Sequence, residues 1–189
     1  MNRKGQEAAP FELLIAVIIM GFVLAVGFMA MGELSKKQCQ GSVETTMSEL
    51  KTSLEIVAKG QGKTTFAFRM PPCYTESKSR LGIRNITERI VCSRICGGNR
   101  IDCTVLEFYG YSEVGSYVSV LCLDIPATVD FPSDVAGSPC DPDKYESGTI
   151  EYEVVSWKDE PIIPGDYILV NEYTLMSDYP RICAYKRSI

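Results

Sequence analysis

The chain has 189 residues, enough for one globular domain with an extended element, and a formal net charge of −5, the opposite of the basic stripe that a nucleic-acid-binding surface needs. It contains no His, which removes the commonest general base and metal ligand and points away from an enzyme, although carboxylates, Tyr, Lys and Cys remain. Its eight Cys are even in number and lie mostly in the second two-thirds of the chain, which fits an oxidising compartment; the disulfide-rich intracellular proteins of hyperthermophiles are the known exception.

The first element predicted is an apolar helix. Arg3 and Lys4 precede it, and residues 13–32 include nothing charged or strongly polar. That run matches the ~20 residues a helix needs to cross a bilayer core. The preceding basic pair places the N-terminus in the cytoplasm and the chain after Glu33 outside. Lys36 and Lys37 reduce that charge asymmetry, and Glu33 offsets part of the reduction. Ala25-Val26-Gly27 could serve as a secretory cleavage site, but the apolar run continues through Phe28 and Met31 and exceeds the h-region of such a signal. An uncleaved signal anchor is the stronger competitor. The small residues Gly21, Ala25, Gly27 and Ala30 would allow close helix approach, although only Gly21 and Ala25 stand at small-xxx-small spacing.

The order Arg3-Lys4-Gly5-Gln6, a short polar lead and a long apolar helix resembles the class III signal peptide of type IV prepilins. In that family a membrane prepilin peptidase cuts after the Gly and leaves the helix on the mature subunit. The resemblance puts the cut between Gly5 and Gln6, and a Gln after the cut is closer to archaeal pilins than to bacterial ones. The family carries a Glu at the fifth mature position. Here that position is Pro10, with Glu7 and Glu12 on either side. The resemblance covers roughly the first thirty residues at motif level.

Pro10 suits a first helical turn, where its missing N–H would have no partner. Glu12 then falls near the positive end of the helix dipole and can accept from unpaired backbone N–H groups. A charge at the centre of an apolar helix costs about 2.5–3.5 kcal/mol on insertion scales, and less near the end. The resemblance implies a further role. Cleavage creates an α-amino group on Gln6, and a carboxylate of a neighbouring subunit can neutralise it inside an apolar bundle. Glu12 is the candidate for that pairing and Glu7 the second choice. The alternative is that Glu12 only stabilises its own helix start.

The helix continues past Gly32 as an amphipathic segment. Cys39, Val43, Met47, Leu50, Leu54 and Val57 recur at helical spacing, with Lys36, Lys37, Glu44, Ser48, Glu49, Lys51 and Glu55 between them. Gly41 is a weak point in the helix, and Gly60-Gln61-Gly62 ends it. The stripe is expected to pack on a globular domain. The inner half is apolar around its whole circumference, and needs lipid or copies of itself.

From residue 64 the pattern turns to β. Strands are predicted at 64–70, 89–95, 103–111, 117–125, 149–157, 166–173 and 181–186, separated by Gly/Pro/Asn signals. The expected fold class is α+β, a long N-terminal helix packed on a mostly antiparallel sheet domain of six or seven strands with disulfides. The expected organisation is a leader at 1–5, the helix at 6–59 and an extracellular β-rich domain at 60–189.

The cysteines are Cys39, Cys73, Cys92, Cys96, Cys103, Cys122, Cys140 and Cys183. Disulfides are the favoured reading. Cys92 and Cys103 flank Gly97-Gly98-Asn99 almost symmetrically, which suits a cross-strand bridge over a hairpin turn. A bridge from Cys39 to Cys73 or a later Cys would tie helix to sheet and contribute about 2–4 kcal/mol. A zinc site from Cys92, Cys96, Cys103 and Cys122 is the alternative, but the paired C-x2-C knuckles are missing. Asn85-Ile86-Thr87 is a glycosylation sequon, so Asn85 is expected to be exposed. Asp141 and Asp143 lack the remainder of a calcium loop. No catalytic set, cofactor motif or metal site is recognised.

The resemblance implies a filament subunit for adhesion, attachment or motility. Its partners would be the prepilin peptidase, copies of itself or other pilins, and the membrane before assembly. It would move from the cell membrane to an extracellular filament. A single-pass anchored extracytoplasmic binding protein is the alternative, and a membrane-tethered enzyme a weaker one.

Overall fold

The computed structural model describes residues 9–60, 62–112, 115–126, 129–132, 140–141, 151–157, 160–172 and 180–188. The fold is α+β. The chain divides into two compact units, Met1–Gly41 and Ser42–Ile189. One helix, α1 (Ala9–Lys59), contributes to both.

Within the larger unit, α1 buries Val43, Met47, Leu50, Leu54 and Val57, none more than 2% exposed. These are the stripe positions expected from helical periodicity. The helix ends at Lys59. The Val57 carbonyl in its last turn and the Gly60 carbonyl just beyond it accept from Asn171 Nδ2 at 3.1 and 3.3 Å. That side chain satisfies groups which a helix C-terminus leaves without internal partners. Glu55 accepts from the backbone N–H of Asp124 at 2.8 Å. Lys59 pairs with the Asp124 carboxylate at 2.8 Å, and Arg100 approaches it at 3.4 Å. The Lys59 hydrogen bond lowers the Asp124 pKa, and the same bond raises that of Lys59. The cluster is exposed, so it orients more than it stabilises.

Seven strands and one short helix follow among the described residues: β1 (Lys63–Phe68), β2 (Arg80–Ile86), α2 (Arg89–Cys96), β3 (Cys103–Ser112), β4 (Gly115–Leu123), β5 (Tyr152–Val155), β6 (Gly165–Asn171) and β7 (Ile182–Arg187). They form two antiparallel sheets, ordered β1-β6-β7-β5 and β2-β3-β4. A single bridge between Leu81 and Ile162 closes part of the β2 edge. In the four-stranded sheet one face carries Phe66, Phe68, Tyr167 and Leu169, all buried. Trp157 meets Tyr167 edge-on at 5.2 Å. In the three-stranded sheet Leu81, Ile83, Leu106, Phe108 and Leu123 are buried on the face shared with Thr104.

Two expectations are corrected. Residues 89–95 were expected as a strand and form α2. Its β-branched content suggests a strand, but Cys92, Ile95 and Cys96 stand at i, i+3 and i+4, and that face packs on Ile86, Cys103, Val105 and Val120. The helix stops at Gly97 and Gly98, with φ of 71° and 69°, a region where only glycine is unstrained. Gly97-Gly98-Asn99 is therefore a helix exit and not a hairpin turn. The strand β2 was not anticipated at all.

The outer face of each sheet is held by disulfides. Cys92–Cys103 and Cys96–Cys122 fasten α2 to β3 and to β4. The Cys92–Cys103 pairing is the expected one, but it joins helix to strand instead of two strands. Cys140–Cys183 holds the Cys140 segment over Val170 and Tyr185. The Tyr185 hydroxyl there accepts from the backbone N–H of Asp141 at 3.1 Å. Cys39 and Cys73 are disulfide-bonded as well, and no cysteine is free. The four thiols considered for zinc are consumed by two bridges, so the metal alternative is set aside.

Candidate functional site

The most unusual surface belongs to the first unit. Sixteen large apolar side chains between Phe11 and Leu34 are 44–74% exposed. They occupy every side of the helix, so no single-sided packing could cover them. Leaving one such side chain in water forgoes about 1.5–3 kcal/mol, and sixteen together forgo a few tens of kcal/mol. This surface requires an apolar surrounding. The helix is long and apolar enough to cross a membrane.

Pro10 and Glu12 both lie in the first described turn of α1. Glu12 is exposed there, where the dipole favours a carboxylate. Gly5, Gln6 and Glu7 lie outside the described residues. A Cβ added at Gly21, Gly27 or Gly32 would meet nothing within 4 Å, so these glycines leave shallow places on an already exposed cylinder.

The larger unit offers no metal site, since no group of three candidate ligands occurs among the described residues. Asn85 is exposed near the end of β2 and accepts from Thr104 Oγ1 at 2.9 Å. Asp141 is described, whereas Asp143 lies outside the described residues. Three tyrosines have raised pKa values. Burial raises Tyr74 and Tyr167. Burial also raises Tyr117, helped by its hydrogen bond to Glu44 at 2.8 Å.

One feature was missed from the sequence: an open cleft beside β2, lined by Lys78, Arg80 and the half-exposed Tyr109. Leu81 and Ile83 alternate there with Arg80, Gly82 and Arg84, which is the signal that could have revealed an edge strand.

Comparisons of the chain with models of protein families, with curated proteins and with solved structures find no match. The class is therefore defined by architecture: an α+β protein with disulfide-fastened antiparallel sheets and a candidate membrane-spanning helix near its N-terminus.

Proposed function

We propose that the chain is the structural subunit of a type IV pilus-like surface filament, assembled through its apolar N-terminal helix, for adhesion, attachment or motility. The observation that carries this reading is the change of character along one helix. Residues 43–57 bury one stripe, while the apolar residues from Phe11 to Leu34 are exposed on all sides. A surface of that second kind suits two successive settings, a bilayer and then a bundle of like helices. The disulfides suit a domain that works outside the cell.

In this reading a prepilin peptidase cuts between Gly5 and Gln6. Glu12, or Glu7 in its place, meets the new α-amino group of a neighbouring subunit and sets the stagger. The chain is not an enzyme and takes no cofactor. Pro10 at the position where the family carries Glu favours one other reading, a singly anchored extracytoplasmic binding protein that never polymerises.

The test is to shear the surface of the source cells and examine the released material by immunogold electron microscopy. Labelled filaments are expected. A chain found only as a detergent-extracted membrane monomer would remove the filament reading and leave the anchor. Glu12→Gln separates the two roles of that carboxylate: assembly should fall if it pairs with the α-amino group and persist if it only caps its helix.

A further inference from the structure

We infer that the outer face of the β2–β3 pair is a binding site for uncharged, hydroxyl-rich glycan chains. Polymerisation is not required for it, so it stands equally for a filament subunit and for a singly anchored protein.

On this face α2 seals the end that carries Ile86, Cys103 and Val105. The other end, from Glu107 to Tyr111, is left open. Tyr109 and Tyr111 stand there 44% and 45% exposed. Both rings are braced by cations, Arg80 at 5.1 Å from the Tyr109 centroid and Lys78 at 4.7 Å from that of Tyr111. An exposed ring already held in place loses little freedom when a ligand arrives.

The face opens into two adjoining hollows of about 720 and 210 Å³, which share Arg80, Tyr109 and Pro161. The larger lies within the ~300–1,000 Å³ usual for ligand sites. Gly82 lies between Arg80 and Arg84 and faces Glu107 across the strands. A Cβ there would meet only the Glu160 carbonyl oxygen, at 3.9 Å. Packing does not require the missing side chain, and its absence keeps the floor flat.

The charges choose the ligand. Glu76, Lys78, Arg80, Arg84, Glu107 and Glu160 line the two hollows, three cations against three carboxylates. A polyanion would meet those carboxylates. An apolar peptide or lipid chain would touch Met70, Pro161, Ile163 and Pro164 in the larger hollow, but it would strip water from six charged groups without replacing their hydrogen bonds. A neutral sugar fits both components, because its C–H face can lie on a tyrosine while its hydroxyls donate to carboxylates and accept from guanidinium and ammonium groups as charge-assisted hydrogen bonds.

The test uses the full chain in lipid nanodiscs, with short neutral oligosaccharides of glucose, mannose or N-acetylglucosamine and a heparin-derived acidic oligosaccharide as probes. Saturation-transfer NMR reads contact and a titration reads affinity. At least one neutral probe should bind. Tyr109→Ala and Gly82→Leu should each weaken it about 10-fold or more, the second by filling the floor, while Tyr109→Phe, which keeps the ring, should stay within about 3-fold. Tyr109 is half-exposed and a Cβ at Gly82 has room, so melting temperatures that do not fall should accompany the losses. No saturation by any neutral probe, binding of the acidic probe alone, or neutral binding unaffected by both Tyr109→Ala and Gly82→Leu would overturn the inference.

Discussion

Tyr74 occupies the space that a side chain on Gly110 would need. A Cβ at that position would stand 2.6 Å from Tyr74 Cε1 and 2.7 Å from Phe108 Cε1. The Tyr74 ring meets Phe108 edge-on at 5.3 Å and stacks beside Tyr117 at 6.3 Å. Gly110→Ala would push this aromatic cluster apart. The expected cost is about 1–3 kcal/mol, as for other overpacked cores. Urea unfolding of the full chain in detergent, followed by near-ultraviolet circular dichroism, measures it. A midpoint equal to that of the wild type would contradict the packing described.

The disulfides should differ in weight. Cys140 and Cys183 are 43 residues apart, and Cys92 and Cys103 are 11 apart. Loop-closure entropy assigns about 4 kcal/mol to the longer loop and about 3 kcal/mol to the shorter. Double alanine variants, compared by thermal unfolding, should rank in that order. The reverse order would show that native packing around α2, not chain entropy, dominates.

Much of this fold was legible in the sequence because its periodicities are strong. The stripe from Val43 to Val57 has uninterrupted helical spacing, and six of the predicted strands coincide with observed ones to within a few residues. The losses cluster in one stretch. In α2 eight residues with Ile and Val looked extended, and only the Cys92–Cys96 spacing betrayed a helix. In β2 the alternation is short, broken by Gly82 and surrounded by charge. The cleft depends on β2, so missing that strand hid the cleft. The long apolar helix was legible for the opposite reason, since an apolar run of that length, uninterrupted by charge, is satisfied on all sides only by lipid or by like helices.

High pH should destabilise the larger unit through its tyrosines. Burial raises the pKa of Tyr167 in the folded state above the ordinary 10.0, and burial with the Glu44 hydrogen bond does the same for Tyr117. A pKa raised on folding stabilises below the unfolded value, and the contribution is lost as pH rises through the folded value. Stability should therefore be flat up to about pH 10 and fall above it. Tyrosinate absorbance against pH should show late-titrating groups, and Tyr167→Phe should remove part of the alkaline slope. A slope that begins near neutrality would contradict this origin.

The apolar helix should respond to charge by depth. Val23→Arg near the middle of the run should disfavour insertion by about 2.5–3.5 kcal/mol. Glu49→Arg, on the exposed side of the amphipathic segment, should leave it unchanged. Carbonate extraction of membranes separates integrated from released chain. Release of the wild-type chain by carbonate would show that residues 13–32 do not lie in a bilayer.

The most direct test of the filament account is the intact mass of the protein taken from its own membrane or surface. Loss of Met1 through Gly5, with Gln6 as the new N-terminus and the whole apolar helix retained, is the predicted result. A mass that includes those five residues, or one lacking most of the apolar helix, would contradict it.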